Sequence, residues 1–214
     1  MFNLFTLYCS PVDWAPPILD LVLFHTYGEG DLVYHMGLMK DDFSGPHLSR
    51  EYPLGSFIHI LATLEQKAHQ PLLLLIEECG DRNTRAAAGG LRVPYHQGVC
   101  TIGCLVDSMT SNSKFEPRQE TSDIHLSLQA FKFTVGEEVY IHCKILAWDP
   151  SGLDTSRKAC HYVQGWELLD DPSHSNLCSC CDSSCKSQRR RGIPSGITSF
   201  CTPLKFNLLI VPGH

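Results

Sequence analysis

Between residues 139 and 191 the chain places six of its eleven cysteines, followed by three consecutive arginines. The order is VYIHCKILAW with Cys143, KAC with Cys160, GWELL, CSCCDSSC with Cys178, Cys180, Cys181 and Cys185, and QRRR with Arg189, Arg190 and Arg191. Such crowding of thiols makes sense where disulfides form, which is the secretory pathway and the space outside the cell. A basic tripeptide behind the cluster makes sense where processing proteases act, so Arg189, Arg190 and Arg191 are the candidate processing site. The strong cleavage pattern has arginine at the fourth position before the cut, and that position here is Gln188, with Lys186 nearby.

A zinc site built from the cluster with His161 or His174 is the competing reading of these thiols. Zinc takes thiolates at tetrahedral corners, usually from two CxxC-type pairs. Adjacent Cys180 and Cys181 suit that geometry poorly, so the expectation is disulfides, with no metal and no cofactor. Four cysteines allow three pairings. A bond between neighbours Cys180 and Cys181 is strained, because a disulfide wants its Cα atoms farther apart. Cys178–Cys180 with Cys181–Cys185, and Cys178–Cys181 with Cys180–Cys185, both remain.

A cysteine-nucleophile enzyme is the rival from another class. A catalytic thiol needs a depressed pKa and a positioned base. His142 adjoins Cys143, but neighbours on a strand point to opposite faces. Nothing local singles out a nucleophile, and the expectation is a protein without catalytic residues. The charges are scattered and sum to −6 over 214 residues, which excludes a nucleic-acid footprint. Hydrophobic residues make up 43%, enough for a real core. No run of 18 apolar residues occurs, so no membrane span is expected. MFNLFTLYC at the start lacks a basic region and a small-residue cleavage site, so it is not read as a signal peptide. A secretory cysteine pattern without a leader gives the expectation of a truncated sequence. No Asn-x-Ser/Thr is present.

Along the chain, residues 1–17 read as a linker, with Pro11, Pro16 and Pro17 around Trp14. Strands are expected over 18–27, over 31–39, where Leu32, Tyr34, Met36 and Leu38 share a face, over 57–64, and over the apolar run opened by Pro71. Residues 124–135 alternate with a change of register near Ala130 and Phe131, which predicts a β-bulge. Residues 139–148 put Val139, Ile141, Cys143 and Ile145 on one face. Short strands joined by turns, with no convincing amphipathic helix, predict an all-β sandwich over 18–191 with a disulfide-rich subdomain over 143–185. Residues 192–214, with the apolar run 206–211, are expected to lie outside the folded unit as a tail or propeptide. The loop around Trp166 could be a recognition loop or could pack upon itself.

The succession DLVYHMGLMKDDF, YPLGSFIHILATLE, PLLLLIEEC, GCLVDS, LQAFKF, VYIHCKI, KAC and CSCC before a basic triplet resembles the C-terminal half of a zona pellucida (ZP) module. The resemblance covers roughly residues 14–191, and the Cys-x-Cys-Cys cluster favours the egg-coat members. It implies an immunoglobulin-like sandwich and secretion into an extracellular matrix, with a membrane-anchored form as the usual precursor. It implies assembly into filaments with other ZP-module proteins and a part in sperm binding. Another secreted ZP-module matrix protein, or a cysteine-rich metal-binding protein, is the alternative. By resemblance, Cys79 pairs with Cys143 and Cys104 with Cys160. Bridges closing loops of that size would contribute about 4 kcal/mol each in the chain-entropy account. The family also implies two hydrophobic patches that hold assembly in check until the tail is cut away. Leu32, Tyr34, Met36 and Leu38 match the first, and Phe206, Leu208 and Ile210 the second, as a matched pair of strands. Cys9, Cys100 and Cys201 have no place in the family scheme.

Overall fold

A computed structural model describes residues 22–24, 32–65, 71–83, 99–130, 138–183, 185 and 206–211. Twelve strands are present among them: β1 (Val22–Phe24), β2 (Leu32–Met39), β3 (Glu51–Pro53), β4 (Phe57–Leu64), β5 (Leu73–Asn83), β6 (Cys100–Thr101), β7 (Lys114–Glu116), β8 (Asp123–Gln129), β9 (Glu138–Trp148), β10 (Cys160–Tyr162), β11 (Trp166–Leu168) and β12 (Phe206–Val211). Helical structure among the described residues is confined to short 3-10 segments. One five-stranded sheet runs β1-β2-β4-β8-β7; the other runs β3-β12-β9-β5-β6. The strands β10 and β11 form a separate hairpin. The fold is all-β, as the alternation predicts.

Period-two patterning sets the first sheet. On β4, Ile58, Ile60, Ala62 and Leu64 are buried while the residues between them are more exposed. Their neighbours on β8, Ile124, Leu126 and Leu128, are fully buried at matching register positions. Each such side chain contributes about 1.5–3 kcal/mol through burial. Strand β5 is different: Leu73 to Ile76, like Leu72 just before them, are buried without alternation, because both faces are covered. A bulge interrupts its ladder with β9 between Ile76 and Glu78. Glu77, between these two, reaches Lys144 Nζ at 2.7 Å.

Some expectations fall outside the described residues and others are overturned. The bulge expected near Ala130 and Phe131 lies at the edge of the described residues, with Phe131 outside them, and the irregularity at Glu77 on β5 is a separate one. Strand β7, for which no strand is expected from the sequence, has a single buried anchor, Phe115. The tail is not wholly outside the folded unit. Strand β12 pairs antiparallel with β9 and parallel with β3, so its backbone completes the second sheet. Cys143 belongs to β9 of the sandwich, and the subdomain begins after that strand.

At the end of β9, Trp148 closes the corner. Its Nε1 donates to Gly152 O at 2.9 Å, and the Arg157 guanidinium lies 3.9 Å over its ring. Asp149 caps the 3-10 turn Pro150–Gly152 by accepting from Ser151 N at 2.9 Å.

Candidate functional site

Two features stand out as sites: the cysteine-rich subdomain and the strand that follows the basic triplet in sequence. The subdomain is docked through a tight turn at Ile102 and Gly103. Gly103 adopts φ 72° and donates to Glu77 O at 3.0 Å. Its carbonyl accepts from Cys160 N at 2.7 Å, and Leu105 N donates to Cys160 O at 2.8 Å. Arg118 pairs through Nε with Asp170 Oδ1 and donates from Nη1 to Asp123 O, tying the β10–β11 region to β8.

Inside the subdomain, Cys160, Leu168 and Cys178 form a small core backed by Leu153, Trp166, Leu177 and Cys181. Trp166 donates to Asp182 Oδ1 at 2.7 Å and meets Tyr162 edge-on, so it packs within its own subdomain. The 3-10 stretch Pro172–Asp182 starts at Asp171, whose carboxylate accepts from Ser173 N at 3.0 Å. Hydrogen bonds from the Ser173 hydroxyl and His174 hold Asp171 down to about 2.

The bridges lie on this frame. Cys79 joins Cys143 across β5 and β9, with Cα atoms 4.1 Å apart. Cys104 joins Cys181, Cys160 joins Cys178, and Cys180 joins Cys185. The expected Cys104–Cys160 bond is therefore replaced. Cys104 and Cys160 do sit side by side in a parallel β-bridge, but each takes a partner from the 3-10 stretch. Three residues per turn bring positions i and i+3 onto one face. Cys178 and Cys181 are so related, and that face supplies one sulfur to Cys160 and one to Cys104. Both pairings expected within the cluster fail as complete sets, because they kept Cys178 and Cys181 local; only Cys180–Cys185 is found.

The sulfurs of Cys104, Cys181 and Cys185 lie within 4.8 Å of one another. All three are engaged in disulfides, whereas a metal needs thiolates. Of the histidines considered as ligands, His174 is exposed and bound to Asp171, and His161 lies on β10 with its pKa lowered by burial. Lys158 is 1% exposed, and its ammonium touches the Thr155 carbonyl, Cys180 Sγ at 3.2 Å and Cys185 Sγ at 3.4 Å. Burial pushes Lys158 down to about 8. Among the described cysteines, Cys100 is free and buried. It stands opposite Cys79 on β6, and burial pushes its thiol well above the usual range. The side chain of His142 lies outside the described residues, as do Cys9, Cys201, Arg189, Arg190 and Arg191.

On β2, Tyr34 and Met36 are buried and Leu38 is partly buried, as the alternation predicts; Leu32 is placed by its backbone alone. Strand β2 belongs to the first sheet and β12 to the second, so the expected pairing of the two strands with each other is not found. Phe206 stands opposite Ile141, Leu208 opposite Val139 and Ile210 opposite Tyr52. The slot between β9 and β3 accepts β12 because both neighbours leave one ladder edge open to it. That partnership could not be read from an apolar run alone.

The ZP-C domain profile of the Zona_pellucida family matches residues 28–161. Among curated proteins, the chain is 27% identical over 166 residues to a Callithrix "Zona pellucida sperm-binding protein 3", covering 72% of this chain and 37% of that protein. It is 28% identical over 171 residues to the Mesocricetus auratus protein of the same name, covering 76% and 39%. Against the Homo sapiens protein of that name it is 27% identical over 167 residues, covering 73% and 38%. The chain thus spans well under half the length of these relatives. No helix among the described residues is long and apolar enough to cross a membrane.

Proposed function

The chain belongs to the zona pellucida family through its ZP-C domain, and from that premise we propose that it is a secreted structural component of an extracellular egg coat. In this reading it assembles into filaments with other ZP-module proteins and takes part in sperm binding. The relatives supply the sperm-binding term through their names. The role is structural, carried by folded surface and strand exchange rather than by catalysis.

The observation that carries the assembly reading is the position of β12 in the sheet. It lies beyond Arg189, Arg190 and Arg191 in sequence, yet between β3 and β9 in space. While the chain is continuous, the linker keeps β12 at a high effective concentration beside its slot. Cleavage at the triplet removes that advantage and lets β12 depart. Two strand edges, on β3 and β9, then lie bare, and bare edges recruit strands from other chains. Tyr34, Met36 and Leu38 on β2 act on the opposite sheet, as the patch facing the shared core, and Leu32 belongs to the same strand by its backbone. They do not pair with Phe206, Leu208 and Ile210.

The test is co-expression with a ZP-module partner that supplies the remaining half of the module. Replacing Arg189, Arg190 and Arg191 with alanine should leave the protein folded and unassembled. Filaments formed normally by the triple variant would overturn the release mechanism. Separately, purified chain applied to sperm should bind the sperm surface above a matched all-β control. Failure there with normal assembly would leave another secreted ZP-module matrix protein as the reading.

A further inference from the structure

Two disulfides meet at the edge of the subdomain. Cys104 Sγ, bonded to Cys181, lies 3.7 Å from Cys185 Sγ, which is bonded to Cys180. Sulfurs at that distance are in contact. Cys185 therefore touches the buried end of a second bridge while belonging to the first. The buried Lys158 ammonium lies against both sulfurs of the Cys180–Cys185 bridge, at 3.2 and 3.4 Å. A cation beside a sulfur stabilises it as a thiolate, both as leaving group and as nucleophile. Accessibility grades the bridges: in Cys104–Cys181 only Cys181 is partly exposed. Cys180 and Cys185 are both partly exposed, whereas Cys79, Cys143, Cys160 and Cys178 are buried.

We propose that Cys104, Cys180, Cys181, Cys185 and Lys158 form a thiol–disulfide exchange site in which Cys185 bonds to either Cys180 or Cys104. The reactant is an external thiol. Its thiolate attacks Cys180 Sγ, forming a mixed disulfide and breaking the Cys180–Cys185 bond, and the electron pair leaves on Cys185. The Cys185 thiolate, held by Lys158, attacks Cys104 Sγ. The Cys104–Cys185 bond forms, the Cys104–Cys181 bond breaks, and the electron pair passes to Cys181. A second external thiolate attacks the external sulfur of the mixed disulfide, giving the external disulfide and freeing Cys180. Two external thiols are oxidised, one protein disulfide is reduced, and Cys180 and Cys181 take up protons from water. The surviving bridge has moved from Cys104–Cys181 to Cys104–Cys185. Because Cys185 precedes Arg189 by only four positions in sequence, the exchange moves the anchor of the segment that leads to the basic triplet.

Cys180→Ser in the full chain tests this without any added thiol, since it leaves Cys185 unpaired beside Cys104. After trapping with N-ethylmaleimide at mildly alkaline pH and non-reducing peptide mapping, a Cys104–Cys185 peptide should appear, with alkylation shifted in part from Cys185 to Cys181. Quantitative alkylation of Cys185 with only Cys104–Cys181 present would overturn the proposal. An intact Cys79–Cys143 peptide is the folding control. The unmutated protein gives the second measurement. After limiting dithiothreitol and trapping, Cys180 and Cys181 should be the alkylated pair; finding Cys180 and Cys185 instead contradicts the exchange. Lys158→Met should slow the first reduction by roughly tenfold. An unchanged rate would remove the lysine from the site.

Discussion

A β-carbon on Gly103 would stand 2.0 Å from the carbonyl oxygen of Lys158. Backbone touches backbone here, so no rotamer change relieves the contact, and the φ of 72° is itself unfavourable for any other residue. The turn carries Cys104 into the subdomain and accepts the Cys160 amide. Gly103→Ala should therefore destabilise the protein by at least about 2 kcal/mol, read as a lower midpoint in thermal unfolding. A midpoint unchanged from the parent would show that the subdomain docks differently.

The Cys79–Cys143 bridge closes a loop with a sequence separation of 64. Replacing both cysteines with alanine should cost about 4 kcal/mol by the chain-entropy account. Denaturant titration of the double variant reads this directly. Non-reducing peptide mapping of the parent should recover Cys79 with Cys143, Cys104 with Cys181 and Cys160 with Cys178.

Cys100 should resist modification in the folded protein. Burial beside Glu78 raises its thiol, which keeps the reactive thiolate scarce. Iodoacetamide should label it only after unfolding. Rapid labelling under native conditions would mean that the β5–β6 edge opens.

Much of this was legible in the sequence, and the losses have physical causes. Alternation on β4 and in Tyr34, Met36 and Leu38 gave the first sheet, because one face of those strands is buried and the other is not. The continuous run at Leu72 to Ile76 gave a buried strand for the same reason in reverse. The Cys79–Cys143 bond implied by the resemblance is found, but the pairing that ties Cys104 and Cys160 to the cluster was illegible. It depends on a 3-10 stretch that puts Cys178 and Cys181 on one face, and no hydrophobic period announces that. The place of β12 was illegible too, because its backbone partners Glu51–Pro53 and Glu138–Trp148 lie far away in the chain.

Acid should weaken the fold near neutrality through two histidines. Burial is the first cause lowering the pKa of both His161 and His59 below the ordinary 6.5. Glu167, Glu116 and Lys114 act on His161, and Glu116, Asp41, His47 and Lys114 on His59, where Phe43 also packs against the ring. The unfolded imidazoles take up protons that the folded ones refuse. Their contribution is thus complete above the ordinary value and is lost as pH falls through the folded values. Stability measured by urea titration should drop between mildly alkaline and mildly acidic pH, and His161→Gln should flatten that slope. A slope unchanged by the substitution would take His161 out of the account.

Mass spectrometry of the chain's C-terminus in assembled, secreted filaments tests the central claim most directly. The protein should be produced together with a partner that supplies the rest of the module. Release of β12 by processing predicts chains that end near Arg191, with no peptide from Phe206–Val211 retained. Filaments built from chains that still end at His214, with that strand in place, would contradict it.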